Sequence, residues 1–238
     1  MSLIINPYAF QTAGGGFAPS DISGLLVWLK ADAITGLSDG DPVTTWEDSG
    51  SNNNDATEAT NKPVYKTNIL NSLPVVRFTA ASTHRLAIAD NAGLNPTNIT
   101  VFAVVKAATG QVGFIVNKNF SGGTVPYSFS ANQGIEYYSA GWHTSGRTTD
   151  IRGSGNFHVI AGRYDGAALE FYIAGALDKT VADAGSLPSN SSPLYVGTYP
   201  NDGVFLNGDL AELVIYDSAL DSFDMADVNT YLETKYGL

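Results

Sequence analysis

The chain contains no cysteine among its 238 residues. This absence excludes disulfide bonds, thiolate catalysis, cysteine-ligated zinc and iron–sulfur clusters. Charged residues are scarce as well, at 15% of the chain compared with about 25% in average soluble domains. Positive charge is the rarer sign, since 12 Lys and Arg face 23 Asp and Glu and give a net charge of −11. Such a field repels nucleic-acid phosphates and anionic membrane surfaces, so neither is an expected partner.

Long hydrophobic runs are also missing from the sequence. The longest apolar clusters, such as 25–29 and 101–105, have the length of a strand and fall well short of the roughly 20 residues that a membrane helix needs. We therefore expect no membrane span. The first ten residues, MSLIINPYAF, lack the positive and long apolar regions of a standard secretory signal, although a signal removed beforehand stays open.

The N-terminal segment differs from the rest of the chain. Its first part, LIINPYAF, is apolar, and the next, QTAGGGFAPS, is rich in glycine. We interpret residues 1–20 as an arm with a flexible hinge, and residues 21–238 as one domain. An apolar arm is expected to pack on its own domain or on another subunit, so a homo-oligomer and attachment to neighbouring proteins are both expected.

The domain is dominated by short segments rich in valine, isoleucine, threonine and aromatic residues, which favour strands. The predicted strands are 25–30, 74–79, 99–106, 112–117, 126–131, 157–164, 169–175, 193–197 and 210–217. Turn pairs such as Asp165-Gly166 and Asn207-Gly208 separate them. Because these strands do not alternate with helices, the pattern predicts an all-β sandwich of antiparallel sheets rather than a parallel α/β sheet.

A single helix is predicted at the C-terminus. Asp221 or Ser222 can cap its start, and Gly237 follows its last turn as a stop signal. The apolar residues of the segment recur at helical spacing, at Met225, Val228, Leu232 and Tyr236.

Several segments resemble laminin-G-like domains of the concanavalin A-like jelly-roll type. They are GLLVWLKAD (24–32), GDPVTTWEDSGSNNNDA (40–56), LPVVRFTAASTHRL (73–86), NFHVIAGRYDGAALEFYIAGAL (156–177) and LYVGTYPNDGVFLNGDLAELVIYDSALDS (194–222). The resemblance implies two antiparallel sheets stacked face to face, often with a calcium site and a sugar-binding edge. The segment LIINPYAF also resembles the opening of structural proteins of tailed bacteriophages.

Catalytic motifs are absent from the sequence. Hydrolytic relatives of this fold carry clustered carboxylates in the pattern Glu-x-Asp-x-x-Glu, whereas none of the six glutamates here has an Asp two residues later. Glycoside hydrolysis requires two facing carboxyl groups. The sequence also has no G-x-S-x-G elbow, no Walker A motif and no H-E-x-x-H. We therefore predict that the protein is not an enzyme.

An oxygen-rich loop is the candidate for calcium. Asp48, Asn52 and Asp55 offer the hard oxygen ligands that Ca²⁺ takes. The alternative is a polar turn in which Asn and Asp side chains bond to nearby backbone groups. A second cluster of this kind contains Asn201, Asp202, Asn207 and Asp209.

The three tryptophans fall into two groups. Trp28 and Trp46 lie within apolar motifs and are expected in the core. Trp142 lies in a polar, glycine- and serine-rich stretch with Tyr137, Tyr138 and Arg147, which are typical of a core, of a protein interface or of a sugar platform. Our hypothesis is that these four residues form an outward surface that binds a glycan or a neighbouring protein.

These observations favour a non-enzymatic bacteriophage virion protein, such as a capsid decoration, fibre or tail component. The arm would attach it to other virion proteins, and the lectin-like sandwich would face outward toward a cell-surface glycan. The alternative is a secreted carbohydrate-binding module or a glycan hydrolase domain, which would show a cleaved signal or release reducing sugar.

Overall fold

The computed structural model describes residues 16–109, 113–119, 121–200 and 203–238, which form strands, short 3-10 helices and one α-helix. The strands of the first half are β1 (Leu25–Lys30), β2 (Thr45–Trp46), β3 (Ala56–Thr57), β4 (Val64–Leu70), β5 (Leu73–Phe78), β6 (Leu86–Ile88), β7 (Ile99–Ala107), β8 (Phe114–Asn117) and β9 (Thr124–Ser130). Those of the second half are β10 (Gly134–Ser139), β11 (Trp142–Thr144), β12 (His158–Tyr164), β13 (Ala168–Ile173), β14 (Ala176–Ala182), β15 (Leu194–Val196), β16 (Thr198–Tyr199), β17 (Val204–Phe205) and β18 (Gly208–Tyr216). The α-helix is α1 (Ser222–Tyr236), and the 3-10 helices span Pro19–Asp21, Ala31–Ala33, Ala80–Ser82 and Ala92–Leu94.

The strands form two large antiparallel sheets. Sheet 1 has the order β14-β13-β12-β7-β18-β5-β4, and β1 also pairs with β18. Sheet 2 has the order β11-β10-β9-β8-β15-β6-β3-β2. A small hairpin, β16–β17, forms a third sheet of two strands. This arrangement confirms the predicted all-β sandwich, and the many crossovers between neighbouring strands are those of a jelly roll.

The main core lies between the two sheets. Strand alternation sends every second side chain inward, so Val101, Ala103 and Val105 of β7 meet Tyr127 and Phe129 of β9 in one buried cluster. Trp46 is fully buried in the same cluster, which confirms its expected place in the core.

The outer face of sheet 1 carries a second core because α1 covers it. Trp28, Phe102, Val104 and Val214 pack there against the helix, so Trp28 is also buried as expected. The helical residues at this interface are Met225, Val228, Leu232 and Tyr236, which is the predicted stripe.

The polypeptide enters the domain along this same face. Phe17 packs edge-on against Tyr231 of α1 with ring centroids 6.3 Å apart, and the Tyr216 hydroxyl donates to the Pro19 carbonyl over 2.9 Å. Phe17 and Pro19 therefore pack on the domain, and the hinge stays a prediction. The apolar part of the predicted arm lies in residues 1–15, outside the described residues, and its attachment role stays a prediction.

All nine strands predicted from the sequence are present, with ends that differ by at most two residues. Most of the strands that were missed are short. Of the longer ones, β4 is mostly half-buried and β14 is largely exposed, whereas β10 is mostly buried. In β14, at the edge of sheet 1, no residue is buried. Such an edge strand has no apolar face to mark it, so its hydrogen bonds to β13 alone define it.

No helix in the described part of the chain is long and apolar enough to cross a membrane.

Replacing Asp221 with alanine should lower the unfolding free energy by about 1 kcal/mol. The Asp221 carboxylate is the N-cap of α1 and accepts from the backbone N–H groups of Phe223 and Asp224, both at 2.9 Å. Chemical denaturation of the Asp221→Ala variant measures the loss. Asp221→Asn is the matched control, because it retains a capping oxygen and should stay within a few tenths of a kcal/mol of the parent. Equal losses in both variants would contradict a capping role.

Candidate functional site

A polar row crosses five strands of sheet 2 on the face that points away from the core. The register places side by side, from β11 to β15, the residues Thr144, Glu136, Ser128, Asn117 and Tyr195. Their neighbours along the strands, such as Ile135 and Phe129, belong to the main core. Because side chains alternate along a strand, the polar row must face outward from the sandwich.

Glu136 lies in the middle of this row and is only 2% exposed. The Ser128 hydroxyl donates to its carboxylate over 3.0 Å. Burial disfavours the charged form and raises the pKa of Glu136 to about 7, although the Ser128 hydrogen bond acts in the opposite direction. This carboxyl group therefore changes its charge close to neutral pH.

Asn117 occupies the same row two strands away from Glu136, roughly 9–10 Å by strand spacing. It is fully buried, and its side-chain oxygen accepts from the Asn119 backbone N–H over 2.6 Å. Its side-chain nitrogen has no hydrogen-bond partner among the described residues. Since a buried donor without a partner is costly, the row has an unused capacity for hydrogen bonding.

An aromatic cluster lies beside this polar row. Trp142 packs edge-on against Tyr138, with ring centroids 5.3 Å apart, and against Tyr199 of the β16–β17 hairpin at 6.3 Å. Tyr199 is itself buried against Phe114 of β8 at 5.5 Å. Trp142 remains 48% exposed, so one large ring is held firmly by its neighbours while a broad surface stays open to solvent.

The four residues predicted as one surface do not all lie together. Tyr137 is 1% exposed and belongs to the core, where its hydroxyl donates to Asp183 over 2.8 Å and its ring stacks on His143. This corrects the expectation that Tyr137 faces outward. The reason is strand alternation, since Tyr137 and Tyr138 are consecutive residues of β10 and point to opposite faces.

Arg147 is held in the loop that follows β11. Its Nε donates to the Asn132 carbonyl over 2.7 Å, and its guanidinium pairs with Asp150 at 2.9 Å. These contacts give Arg147 a structural role in connecting two loops. Of the predicted set, Tyr138 and Trp142 share the outward face, and a ligand-binding role for them stays a prediction.

The loop predicted to bind calcium forms a network of hydrogen bonds to the backbone. The two carboxylate oxygens of Asp48 accept from the backbone N–H groups of Trp28, Gly50 and Asn54 at 2.9–3.0 Å. Asp55 accepts from the Asp48 N–H over 2.8 Å, and the Asn52 amide donates to the Leu25 carbonyl over 2.7 Å. These carboxylate oxygens are therefore already engaged by backbone N–H groups, and calcium binding by the set stays a prediction. The geometry is that of the polar turn considered as the alternative.

Of the second oxygen-rich cluster, the structure describes Asn207 and Asp209. Asn201 and Asp202 lie outside the described residues. Asp209 is 2% exposed and pairs with two cations, Arg77 and Lys106. Within the described ranges, no three histidine or carboxylate side chains are grouped so that they could hold a metal ion.

The fold and its arrangement of strands have known counterparts. A family model of the laminin G type, described as the concanavalin A-like lectin/glucanases superfamily, matches residues 80–224, which is more than half of the chain. The chain belongs to the concanavalin A-like superfamily. No curated protein sequence matches it.

Three solved structures show how widely this concanavalin A-like fold is used. The binding domain of Paraclostridial mosquitocidal protein 1 has a TM-score of 0.64 at 14% identity, over 90% of this chain and 53% of that one. Domain 4 of an extracellular arabinanase from Geobacillus stearothermophilus has a TM-score of 0.56 at 16% identity, over 70% of this chain and 81% of that one. Botulinum neurotoxin type C has a TM-score of 0.58 at 12% identity, over 88% of this chain and 51% of that one. The chain therefore spans about half the length of the two toxin structures. At these identities the similarity shows the fold alone.

Sequence reasoning missed several residues of the outer face of sheet 2. Glu136, Ser128 and Asn117 were not recognised as one row, and Tyr199 was not connected with Trp142. The available signal was the alternation in YSFS (127–130) and GIEYY (134–138), where polar residues occupy every second position. The pairing of Tyr199 with Trp142 has no sequence signal, because it depends on where the β16–β17 hairpin docks.

Proposed function

We propose that this protein is a non-enzymatic, lectin-like domain that binds a neutral saccharide on the outer face of sheet 2. The observation that carries the proposal is Trp142, whose ring is fixed by Tyr138 and Tyr199 and is 48% exposed beside a row of hydroxyl, amide and carboxyl groups. Sugar rings stack their C–H faces on such aromatic surfaces, and their hydroxyls need donors and acceptors at the side. Binding sites of this kind combine apolar walls with a few placed polar groups.

The chemistry of the row favours a neutral ligand. Asn117, Ser128 and Glu136 are buried, so a saccharide would meet the exposed Thr144 beside Trp142 and the half-buried Tyr195, neither of which carries a charge. Burial raises the pKa of Glu136 to about 7, so the row beneath them is uncharged below neutral pH. The protein as a whole carries a charge of −11, which disfavours an anionic sugar at a face without a cation in its row.

Two of the similar structures support saccharide binding as a use of this fold. The arabinanase domain was solved in complex with arabinotriose, and cell entry of botulinum neurotoxin type C depends on interaction with two ganglioside molecules. These properties belong to those proteins. They support a saccharide as the class of ligand to test on this chain.

The arrangement around Glu136 supports the absence of catalysis. The adjacent register positions hold Ser128 and Thr144, and the residue two places along β10 on the same face is Tyr138. Glycosidases place two carboxyl groups about 5–9.5 Å apart. The positions nearest to Glu136 on this face therefore supply no second carboxyl group. The proposal keeps the expected setting on a virion surface, with the sandwich facing outward and residues 1–15 attaching it to other virion proteins.

Replacing Trp142 with alanine should weaken saccharide binding by about 5- to 150-fold, taking as a guide the roughly 1–3 kcal/mol that stacking of a nucleic-acid base on an aromatic side chain contributes. Stability should change by about 1 kcal/mol or less, since the ring is half exposed. A glycan array identifies the ligand, and calorimetry measures its affinity. Phe223→Ala is the matched control, because Phe223 is an aromatic residue 75% exposed on α1, which packs on the other sheet.

Three results would contradict the proposal. The first is that the parent protein retains no saccharide. The second is that Trp142→Ala and Phe223→Ala affect binding equally. The third is release of reducing sugar by the parent protein that disappears in Glu136→Gln, which would establish the hydrolase alternative.

A further inference from the structure

A cavity of about 500 Å³ opens on the outer face of sheet 1, on the opposite side of the sandwich from Trp142. It is lined by the end of β5, the end of β7, the start of β18 and the loop at 153–155. Ala211 and Glu212 of β18 accept hydrogen bonds from Tyr236 in the last turn of α1, and the cavity lies just beyond them at Asp209. Its volume falls within the range of about 300–1,000 Å³ that is typical of small-molecule sites.

The charged side chains that line this cavity comprise two cations and one carboxylate. Asp209 is 2% exposed and accepts from Arg77 Nε at 2.6 Å and Arg77 Nη2 at 2.9 Å in a bidentate pair. Lys106 Nζ approaches the same carboxylate at 3.1 Å. Because the bidentate arginine already neutralises Asp209, the charge of Lys106 is in excess.

The surrounding charges do not cancel this excess. Asp39 acts electrostatically on Arg77, but it is paired with Lys66. The local sum over Arg77, Lys106, Lys66, Asp209 and Asp39 is therefore three positive charges against two negative ones. A local excess of positive charge is unusual in a chain with a net charge of −11.

Arg77 and Lys106 are both held in place and partly accessible. The side chains of Arg77 and Lys106 are 39% and 31% exposed. Lys106 Nζ also lies 4.8 Å from the ring centroid of Phe157, which fixes its position by a cation–π contact. Arg77 Nη1 donates to no acceptor within the described part of the chain. A ligand would therefore meet oriented donors without first having to order them.

The backbone keeps the cavity open because glycines line it. A side chain on Gly208 would place its Cβ 2.4 Å from the Lys106 carbonyl oxygen, and one on Gly153 would place its Cβ 1.9 Å from Thr109 Cγ2. Gly153 also has a φ of +67°, which a side chain disfavours. Strand and loop thus approach each other closely, and the shape of the site is built into the backbone.

We propose that this cavity binds the carboxylate of an acidic saccharide residue, with Lys106 and the free edge of Arg77 as its donors. A charge-assisted hydrogen bond from two cations suits a single oxyanion. The volume exceeds that of an inorganic ion and leaves space for a sugar ring. This inference extends the proposed function to a second, charged site, but its test does not involve Trp142.

The test uses glucuronate as the probe, with glucose as its neutral match and inorganic sulfate as a small oxyanion. NMR titration or calorimetry at low salt should show binding of glucuronate to the parent protein and none of glucose. Lys106→Gln should weaken glucuronate binding about tenfold, and Lys106→Arg should retain it. Lys179→Gln is the control, because Lys179 is an exposed lysine on the edge strand β14 and its replacement changes the net charge equally.

The fold should survive Lys106→Gln because Asp209 keeps its bidentate arginine, and a thermal melt checks this. If Lys106→Gln does not fold, Thr109→Trp is the second variant. Its larger side chain should fill the cavity and abolish glucuronate binding without removing a charge. Equal loss in Lys106→Gln and Lys179→Gln would overturn the site. Sulfate that competes as well as glucuronate would overturn the saccharide and leave a simple anion site. Trp142→Ala should leave glucuronate binding unchanged, which separates failure of this site from failure of the proposed neutral-saccharide face.

Discussion

Replacing Glu212 with alanine is expected to lower the unfolding free energy by about 3–5 kcal/mol, the usual cost of breaking a buried charge network. Glu212 is fully buried beneath α1. Its carboxylate accepts from Trp28 Nε1 at 2.6 Å, Tyr231 at 3.1 Å, Lys235 Nζ at 2.7 Å and Tyr236 at 2.8 Å. The alanine variant removes the acceptor of four donors at once.

The size of the effect follows from what remains after the substitution. The Trp28 and Tyr236 donors stay buried without a partner, which costs the full desolvation of each group. Lys235 keeps a contact with Asp32 at 2.8 Å, so its charge is only partly compensated. Because three of the four donors belong to the last turns of α1, we expect that end of the helix to detach first.

Chemical denaturation measures this loss, and hydrogen exchange of α1 locates it. Glu47→Ala is the matched control, because Glu47 is exposed and its removal should leave stability almost unchanged. The stability loss of Glu212→Gln should lie between those of Glu212→Ala and Glu47→Ala, since glutamine keeps an acceptor for Trp28 but loses the charge opposite Lys235. A Glu212→Ala variant as stable as Glu47→Ala would show that the network contributes nothing to docking of the helix.

Replacing Glu136 with glutamine should stabilise the protein by roughly 3 kcal/mol at pH 8 and have little effect at pH 4. Burial raises the pKa of Glu136 from 4.5 to about 7 in the folded protein. Each unit of pKa difference corresponds to about 1.4 kcal/mol between the two states. Glutamine keeps an oxygen for the Ser128 hydroxyl and carries no charge at any pH.

The sign of this pH dependence follows from proton binding. Between pH 4.5 and about 7 the folded protein keeps the Glu136 proton while the unfolded chain has released it, so the unfolding free energy falls as the pH rises. The stability contributed by the protonated group is complete below pH 4.5 and is lost as the pH passes about 7. The glutamine variant lacks this slope.

Denaturation curves of the parent and of Glu136→Gln between pH 4 and 8 measure the difference. Glu47→Gln, at an exposed position, should run parallel to the parent. Parallel curves for Glu136→Gln as well would show that the carboxylate is solvated in the folded state, and would remove the argument that this face is largely uncharged below neutral pH.

Part of the candidate site was predictable, and the remainder was not. Trp142 was singled out because an aromatic residue in a polar stretch is unusual, and its exposure in the structure agrees with that reasoning. Tyr137 was misplaced because the residues of β10 were not among the predicted strands. Once β10 is a strand, the alternation of GIEYY places Tyr137 in the core and Glu136 on the outer face.

Long-range contacts account for the other differences. Asp48 and Asp209 have the composition of metal ligands, but the backbone of β1 and the cations Arg77 and Lys106 reach them from distant parts of the chain. A short sequence window contains the carboxylate and not its partner. The choice between an ion site and an internal hydrogen-bond network is therefore made by tertiary packing.

The sequence by itself determined nine of the strands, the C-terminal helix with its Asp221 cap, and the sandwich class, because these depend on local alternation, helical spacing and turn residues. Only the tertiary structure decided the rest. The pairing of β10 with β9 and β11 aligned Glu136 with Ser128, the docking of the β16–β17 hairpin brought Tyr199 to Trp142, and the meeting of β5, β7 and β18 placed Arg77 and Lys106 around Asp209. Each of these joins residues separated along the chain, and their relative positions are fixed by which sheet neighbours bury the most apolar surface and satisfy their backbone hydrogen bonds.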